Sequence, residues 1–144
     1  MTLTQVIAKI EAAASAQPSV RHIVRNNVYR LNKLPDAQYG TFAWTQQQHA
    51  LSGDLLEFSF AFFYVDRLTA DASNEIEIQS VGVQTLTGII RRLEAEGVMP
   101  AGDVTFQTFN EKFADLCAGA WCNVRLQVSA EWICSDDEIE TEII

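Results

Sequence analysis

Apolar residues at Leu3, Val6, Ile7, Ile10 and Ala14 recur at helical spacing and predict a helix over residues 2–16. Thr2 and Gln5 have capping-box spacing at its start, and Gln17-Pro18-Ser19 breaks it. Residues 20–34 stay ambiguous: Val20, Ile23, Val24, Val28 and Leu31 suit a helical face, yet the β-branched content also allows a strand. Pro35, Asp36 and Gly40 mark residues 34–40 as a turn or loop. Two strands follow, over residues 41–48 and 55–65. The second puts Leu56, Phe58, Phe60, Phe62 and Tyr64 on one face, as a strand central in its sheet would. Ser52-Gly53-Asp54 is a short link between them and predicts an antiparallel hairpin.

The longest helix is expected at residues 74–96, with Asn74 as N-cap and Glu77 three positions on. Ile76, Val83, Leu86, Ile90 and Leu93 form its stripe, with Ile89 beside it, and Gly97 closes it. Gly82 and Gly88 inside it hint at close packing against a neighbour. Residues 104–109 read as a strand and residues 109–119 as a short helix ended by Gly119. In the last strand Cys122, Val124, Leu126, Val128, Ala130 and Trp132 point one way, while Asn123, Arg125, Gln127, Ser129 and Glu131 point the other. The expected fold class is α+β, an antiparallel sheet of about four strands with helices packed mainly on one face. One domain covers residues 1–134, followed by an acidic C-terminal extension at 135–144.

Composition narrows the function. A chain of 144 residues with 48% hydrophobic and 10% aromatic content suits one folded domain. No apolar run is long enough to cross a bilayer, and the N-terminal stretch lacks signal-peptide organisation, so a cytoplasmic protein without membrane association is expected. A net charge of −9 argues against specific nucleic-acid binding, which needs concentrated Lys and Arg. The charge is uneven: Arg21, Arg25, Arg30 and Lys33 cluster early, while Asp136, Asp137, Glu138, Glu140 and Glu142 crowd the end. The odd count of three cysteines, Cys117, Cys122 and Cys134, is neither a disulfide framework nor a four-ligand zinc set.

The densest polar stretch is FFYVDRLTADASNEIEIQS, residues 62–80. Asp66 and Asp71 could serve as oxygen ligands for a divalent metal, though their spacing does not match a calcium loop. The simpler expectation is turn and helix-capping chemistry from Asp71, Ser73 and Asn74, with Glu75 and Glu77 at the positive helix end. His22 and His49 carry no nucleophile signature and read as surface residues, the cysteines read as small core residues, and Trp44 and Tyr39 read as packing aromatics. No enzyme chemistry and no cofactor are expected.

Three phrases carry a resemblance: VYRLNKLPDAQYGTFAWTQQQH, FYVDRLTADASNEIEIQSVGVQTLTGIIRRL and FNEKFADLCAGAWCNVRLQV. Together they resemble small structural proteins of tailed phages and prophages of gut Bacteroidetes, neck or tail-completion components, across about residues 20–134. The YVDRL…SN…IQS string at 64–80 and the KFAD-CAG segment at 112–119 are the most specific parts. The element order is also similar to that of tail-terminator proteins, which pack helices on an antiparallel sheet and assemble as sixfold rings. The acidic stretch after Cys134 lies outside both likenesses.

The resemblance implies a virion protein, present in the host cytoplasm during assembly, that joins or caps the tail as a homo-oligomeric ring. Its partners would be itself, in a sixfold ring or a multiple, and adjacent neck or tail proteins, with DNA passing through a lumen that it does not grip. Arg21, Arg25, Arg30, Lys33, Asp66, Arg67, Asp71, Asp136, Asp137 and Glu138 are the candidate interface residues. The alternatives are a cytoplasmic chaperone or adaptor for tail proteins, and a divalent-metal hydrolase using Asp66 and Asp71.

Overall fold

The N-terminal helix forms as its pattern predicts. In a computed structural model that describes residues 1–25, 40–69, 71–110 and 117–129, α1 spans Leu3–Ser15. The Thr2 hydroxyl accepts the Gln5 N–H at 3.2 Å, and the Gln5 side chain accepts the Thr2 N–H at 2.9 Å. That reciprocal pair satisfies two of the donors a helix start leaves open. The second helix, α2, spans Glu75–Ala95. It stops where Gly97 takes a left-handed φ of +87° and the Val98 N–H reaches back to the Leu93 carbonyl.

Six strands are found among the described residues: β1 His22–Arg25, β2 Thr41–Ser52, β3 Leu55–Arg67, β4 Met99–Pro100, β5 Phe106–Asn110 and β6 Cys117–Ser129. Their order is β1-β2-β3-β6-β4, with β5 also paired to β6. The class is α+β, but the sheet is mixed and larger than the four antiparallel strands expected. The ambiguous segment contributes β1, which pairs parallel to β2 from His22↔Thr41 to Arg25↔Trp44. Four residues are too few for either periodicity to show, so pairing with a distant strand decides their conformation.

The predicted helix over residues 109–119 is corrected at both ends. Phe109 and Asn110 belong to β5, and Cys117, Ala118 and Gly119 open β6; residues 111–116 lie outside the described set. Gly119 is not a helix terminator. It pairs with Val65, at a point where a Cβ would meet the Tyr64 carbonyl oxygen at 1.8 Å. The strand predicted at 104–109 is Phe106–Asn110, and the first hairpin strand runs on to Ser52 through a register shift between Gln46 and His49.

Both helices help bury one face of the sheet. Phe42, Trp44, Phe60, Phe62, Val124 and Leu126 meet Val6, Ile10, Leu86, Ile89 and Leu93 in the main core. Edge-to-face contacts between Phe42 and Phe62 and between Trp44 and Phe60 order its centre. The α2 stripe is shifted from the expected one. Ile76 is 73% exposed, while Ile78, Gly82 and Thr85 face the core. Gly82 and Gly88 do mark close approaches, Gly82 to Ala120 and Tyr64, and Gly88 to the Gln17 side chain of the segment after α1.

The opposite face of the sheet is divided. Toward one end Val24, Ala43, Ala61, Phe63 and Val65 form a second apolar cluster, with Trp121 stacked on Phe63. Toward the hairpin end the face is polar: Glu57 accepts from Gln127 and pairs with Arg125, and Gln47 donates to Asn123. Neither described helix is long and apolar enough to cross a membrane.

Candidate functional site

At the end of the sheet where β3 finishes and β1 begins, the chain gathers its densest polar chemistry. Asp66 and Arg67 close β3, and Arg21 precedes β1. Gly40, at φ +70°, lets β2 start hard against the preceding turn: a Cβ there would lie 2.0 Å from the Ser19 carbonyl oxygen. The Gly40 carbonyl in turn accepts the Arg21 N–H at 2.8 Å. Pro18, Ser19, Arg21, Gly40, Tyr64 and Asp66 line an open cavity of about 410 Å³.

Within it Tyr64 is almost fully buried, and its hydroxyl faces two acceptors, the Ser19 carbonyl at 3.4 Å and the Asp66 carboxylate. Burial, with the charge of Asp66 and its hydrogen bond, pushes the phenol up to about 12. Burial also lifts the Asp66 carboxyl above its ordinary value, opposed by N–H bonds from Arg67 and Gly40, by the Tyr64 hydroxyl and by the charge of Arg21. Of the predicted residues, Arg21 and Asp66 therefore share one cavity. Tyr64 is the member missed by sequence reasoning. Its place in the β3 alternation marked it as core, and only the position of its hydroxyl at the strand end makes it polar chemistry.

The loop after β3 uses its side chains on itself. Asp71 accepts from the Thr69 hydroxyl at 2.8 Å and the Ser73 N–H at 3.1 Å, and these bonds hold its carboxyl below the usual range. The turn chemistry expected of Asp71 is present. Asn74 holds the N-cap position expected of it, but its side chain makes no capping bond: the side-chain carbonyl accepts the Thr69 N–H and the amide donates to the Arg67 carbonyl. The Asn74 side chain thus staples the loop, two residues after Ala72 turns the chain at φ +58°.

Arg25 lies apart from this cavity. Its guanidinium binds the Glu11 carboxylate of α1 through two nitrogens, and the Trp44 indole N–H donates to the same carboxylate at 3.0 Å. Trp44 is thus a core residue. Cys122 is buried and its thiol is pushed up to about 12 by that burial, as suits a small core side chain. His22 and His49 are both exposed, and His49 accepts the Ser59 N–H beside the register shift of β2. Arg30, Lys33, Asp136, Asp137 and Glu138, together with Tyr39 and Cys134, lie outside the described residues.

A different surface occupies the hairpin end. Leu51, Leu55 and Met99 are exposed there, at 67%, 39% and 47%. Leu55 pairs with Ser129 and Met99 with Gln127, so all three sit at the hairpin end of the sheet, Leu51 on the helix side and Leu55 and Met99 on the other. On the helix side of the same end lies a largely apolar groove of about 540 Å³, between α1, Gly97 and the final residues of β6. Among the described residues no group of three His, Cys, Asp or Glu side chains is placed to hold a metal ion. No protein-family model matches the chain, and no curated protein does either.

Proposed function

We propose that the chain is a structural subunit of a tailed-phage virion, a neck or tail-completion protein of tail-terminator-like fold that closes into a ring joining or capping the tail. The observation that carries this reading is the hairpin end. Leu51 stands exposed on the helix side of that end, which also carries an apolar groove, and Leu55 and Met99 stand exposed on the opposite side, while the large aromatic side chains of β2 and β3 are buried. Exposed apolar residues grouped at one end of a small domain suit contact with another protein surface. In a ring such contacts are heterologous, one patch meeting a different patch on the next copy. The resemblance of residues 64–80 and 112–119 to phage structural proteins supplies the biological setting, and the net charge of −9 suits a lumen that DNA traverses without adhering.

Electron microscopy of the purified protein, with light scattering for mass, tests the assembly. Rings of constant subunit number are expected. A monomer at every concentration, together with absence from finished particles, would overturn the proposal. Abundance in infected cells combined with absence from particles would reassign the protein as an assembly factor.

A further inference from the structure

The bulge in β2 is held by a histidine side chain. Gln46 pairs with Phe60 and His49 with Phe58, so Gln47 and Gln48 together stand opposite Ser59 alone. The extra residue brings His49, in place of Gln48, to the face that Gln46 occupies. There its ring lies against Phe58 and Phe60, at centroid distances of 5.4 and 5.9 Å. The Ser59 N–H donates to His49 Nδ1 at 3.2 Å, and His49 Nε2 meets Gln46 Oε1 at 3.0 Å. A backbone N–H can only donate, so Nδ1 holds a lone pair and Nε2 carries the proton that Gln46 accepts. From the other face of the sheet Gln47 donates to Asn123 at 2.8 Å.

We infer that His49 is a pH-sensitive latch on the β2–β3 hairpin. Only the neutral imidazole fits. A protonated one carries an N–H at both nitrogens, and the new one at Nδ1 would point at the Ser59 N–H, donor against donor. Histidine is the side chain that ordinarily changes charge between about pH 5 and 8, and His49 is exposed to solvent. Acidification therefore releases the Ser59 N–H. It removes the contact that anchors the pairs beyond the bulge, from His49 with Phe58 to Ser52 with Leu55. The charged side chains of adjoining elements are engaged elsewhere. Glu57 of β3 holds Arg125 and Gln127 of β6 on the opposite face, and Glu11 of α1 holds Arg25 of β1 and the Trp44 indole. His22 of β1 stands opposite Thr41 at the other end of β2, and Asp54 lies in the hairpin turn. Among the described residues the partners of His49 are a backbone N–H, an amide and two phenyl rings, none of which titrates. The inference stands independently of the assembly reading, although the hairpin segment it concerns includes Leu51 and Leu55.

Hydrogen exchange followed by mass spectrometry on the full chain tests the latch. Exchange at the ring carbon Cε1 of His49 reports protonation of the imidazole. The Ser59 amide, corrected for the intrinsic pH dependence of exchange, reports the bond. Protection of Ser59 is expected to fall roughly tenfold from about pH 8 to about pH 5, the scale set by one hydrogen bond, with the midpoint of the His49 titration. In His49→Gln, which has no titrating ring, protection of Ser59 should stay level over the same range, whatever its starting value. Amides in the middle of α2, such as Leu86 and Ile90, should keep their protection in both proteins. Steady protection at Ser59 while His49 takes its proton would overturn the latch. So would an equal fall in His49→Gln, or a fall shared by α2, which would mark a general loosening of the domain.

Discussion

Gly119 and Asp66 show how much one position carries. A Cβ on Gly119 would come within 1.8 Å of the Tyr64 carbonyl oxygen and 2.8 Å of its carbon, and both belong to the backbone of β3. No rotamer change relieves such a clash, so Gly119→Ala is expected to destabilise by about 3 kcal/mol, the upper end of the usual overpacking cost, in urea unfolding. An unchanged midpoint would show that β3 and β6 can separate freely there. Asp66 gives a pH effect with a definite sign. Burial raises its folded carboxyl above the ordinary value of 3.8. Over that interval the folded chain holds a proton the unfolded chain has lost, so this residue's contribution to stability falls as pH rises. Asp66→Asn lacks that fall. The stability of the variant relative to the parent should climb as pH rises above 3.8 and then level, and a difference flat with pH would refute the assignment. Asp71 and Glu96, whose carboxyls are lowered, act in the opposite sense but are common to both proteins and cancel. Sequence spacing could flag Asp66 as polar chemistry at a strand end. It could not show that Arg21 faces it, because that contact joins β3 to the residue before β1, whereas Tyr64 lies two positions away on the same strand.

At the scale of elements, one carboxylate ties α1 to two strands. Glu11 receives Arg25 from β1 and the Trp44 indole from β2, and those two residues are themselves paired in the sheet. Glu11→Ala would leave the indole N–H of a 3% exposed Trp44 without its partner. An unsatisfied buried donor costs about 1–3 kcal/mol, so a loss of that size is expected in chemical unfolding, with altered tryptophan fluorescence. Glu11→Gln, which keeps an acceptor, should recover most of it. The helix itself was legible: the Thr2–Gln5 capping box and the apolar spacing are local, and both are present. The long strand β3 was legible for the same reason, since alternation at period two is written in consecutive residues. The segment 109–119 misled because Phe109, Phe113 and Leu116 have helical spacing. Its described ends are instead drawn into backbone pairing, Phe109 with Gly119 and Arg67 with Cys117.

For the whole molecule, the proposed ring would draw on the exposed hairpin end. Leu51→Lys with Leu55→Lys removes apolar surface from the hairpin tip without entering the core. The pair should weaken assembly in sedimentation while leaving the unfolding midpoint within about 0.5 kcal/mol of the parent, as expected for surface changes. Full assembly by the variant would move the ring contact elsewhere. By itself the sequence determined the α+β class, both helices, the β2–β3 hairpin and the inward faces of β3 and β6, because each depends on periodicity or capping among near neighbours. Only the tertiary structure decided that β1 runs parallel to β2, that β4 and β5 share one edge of β6, and that Arg21, Tyr64 and Asp66 line one cavity. The physical reason is sequence separation. Those features arise from hydrogen bonds and packing between segments whose own patterns are too short or too ambiguous to specify a partner.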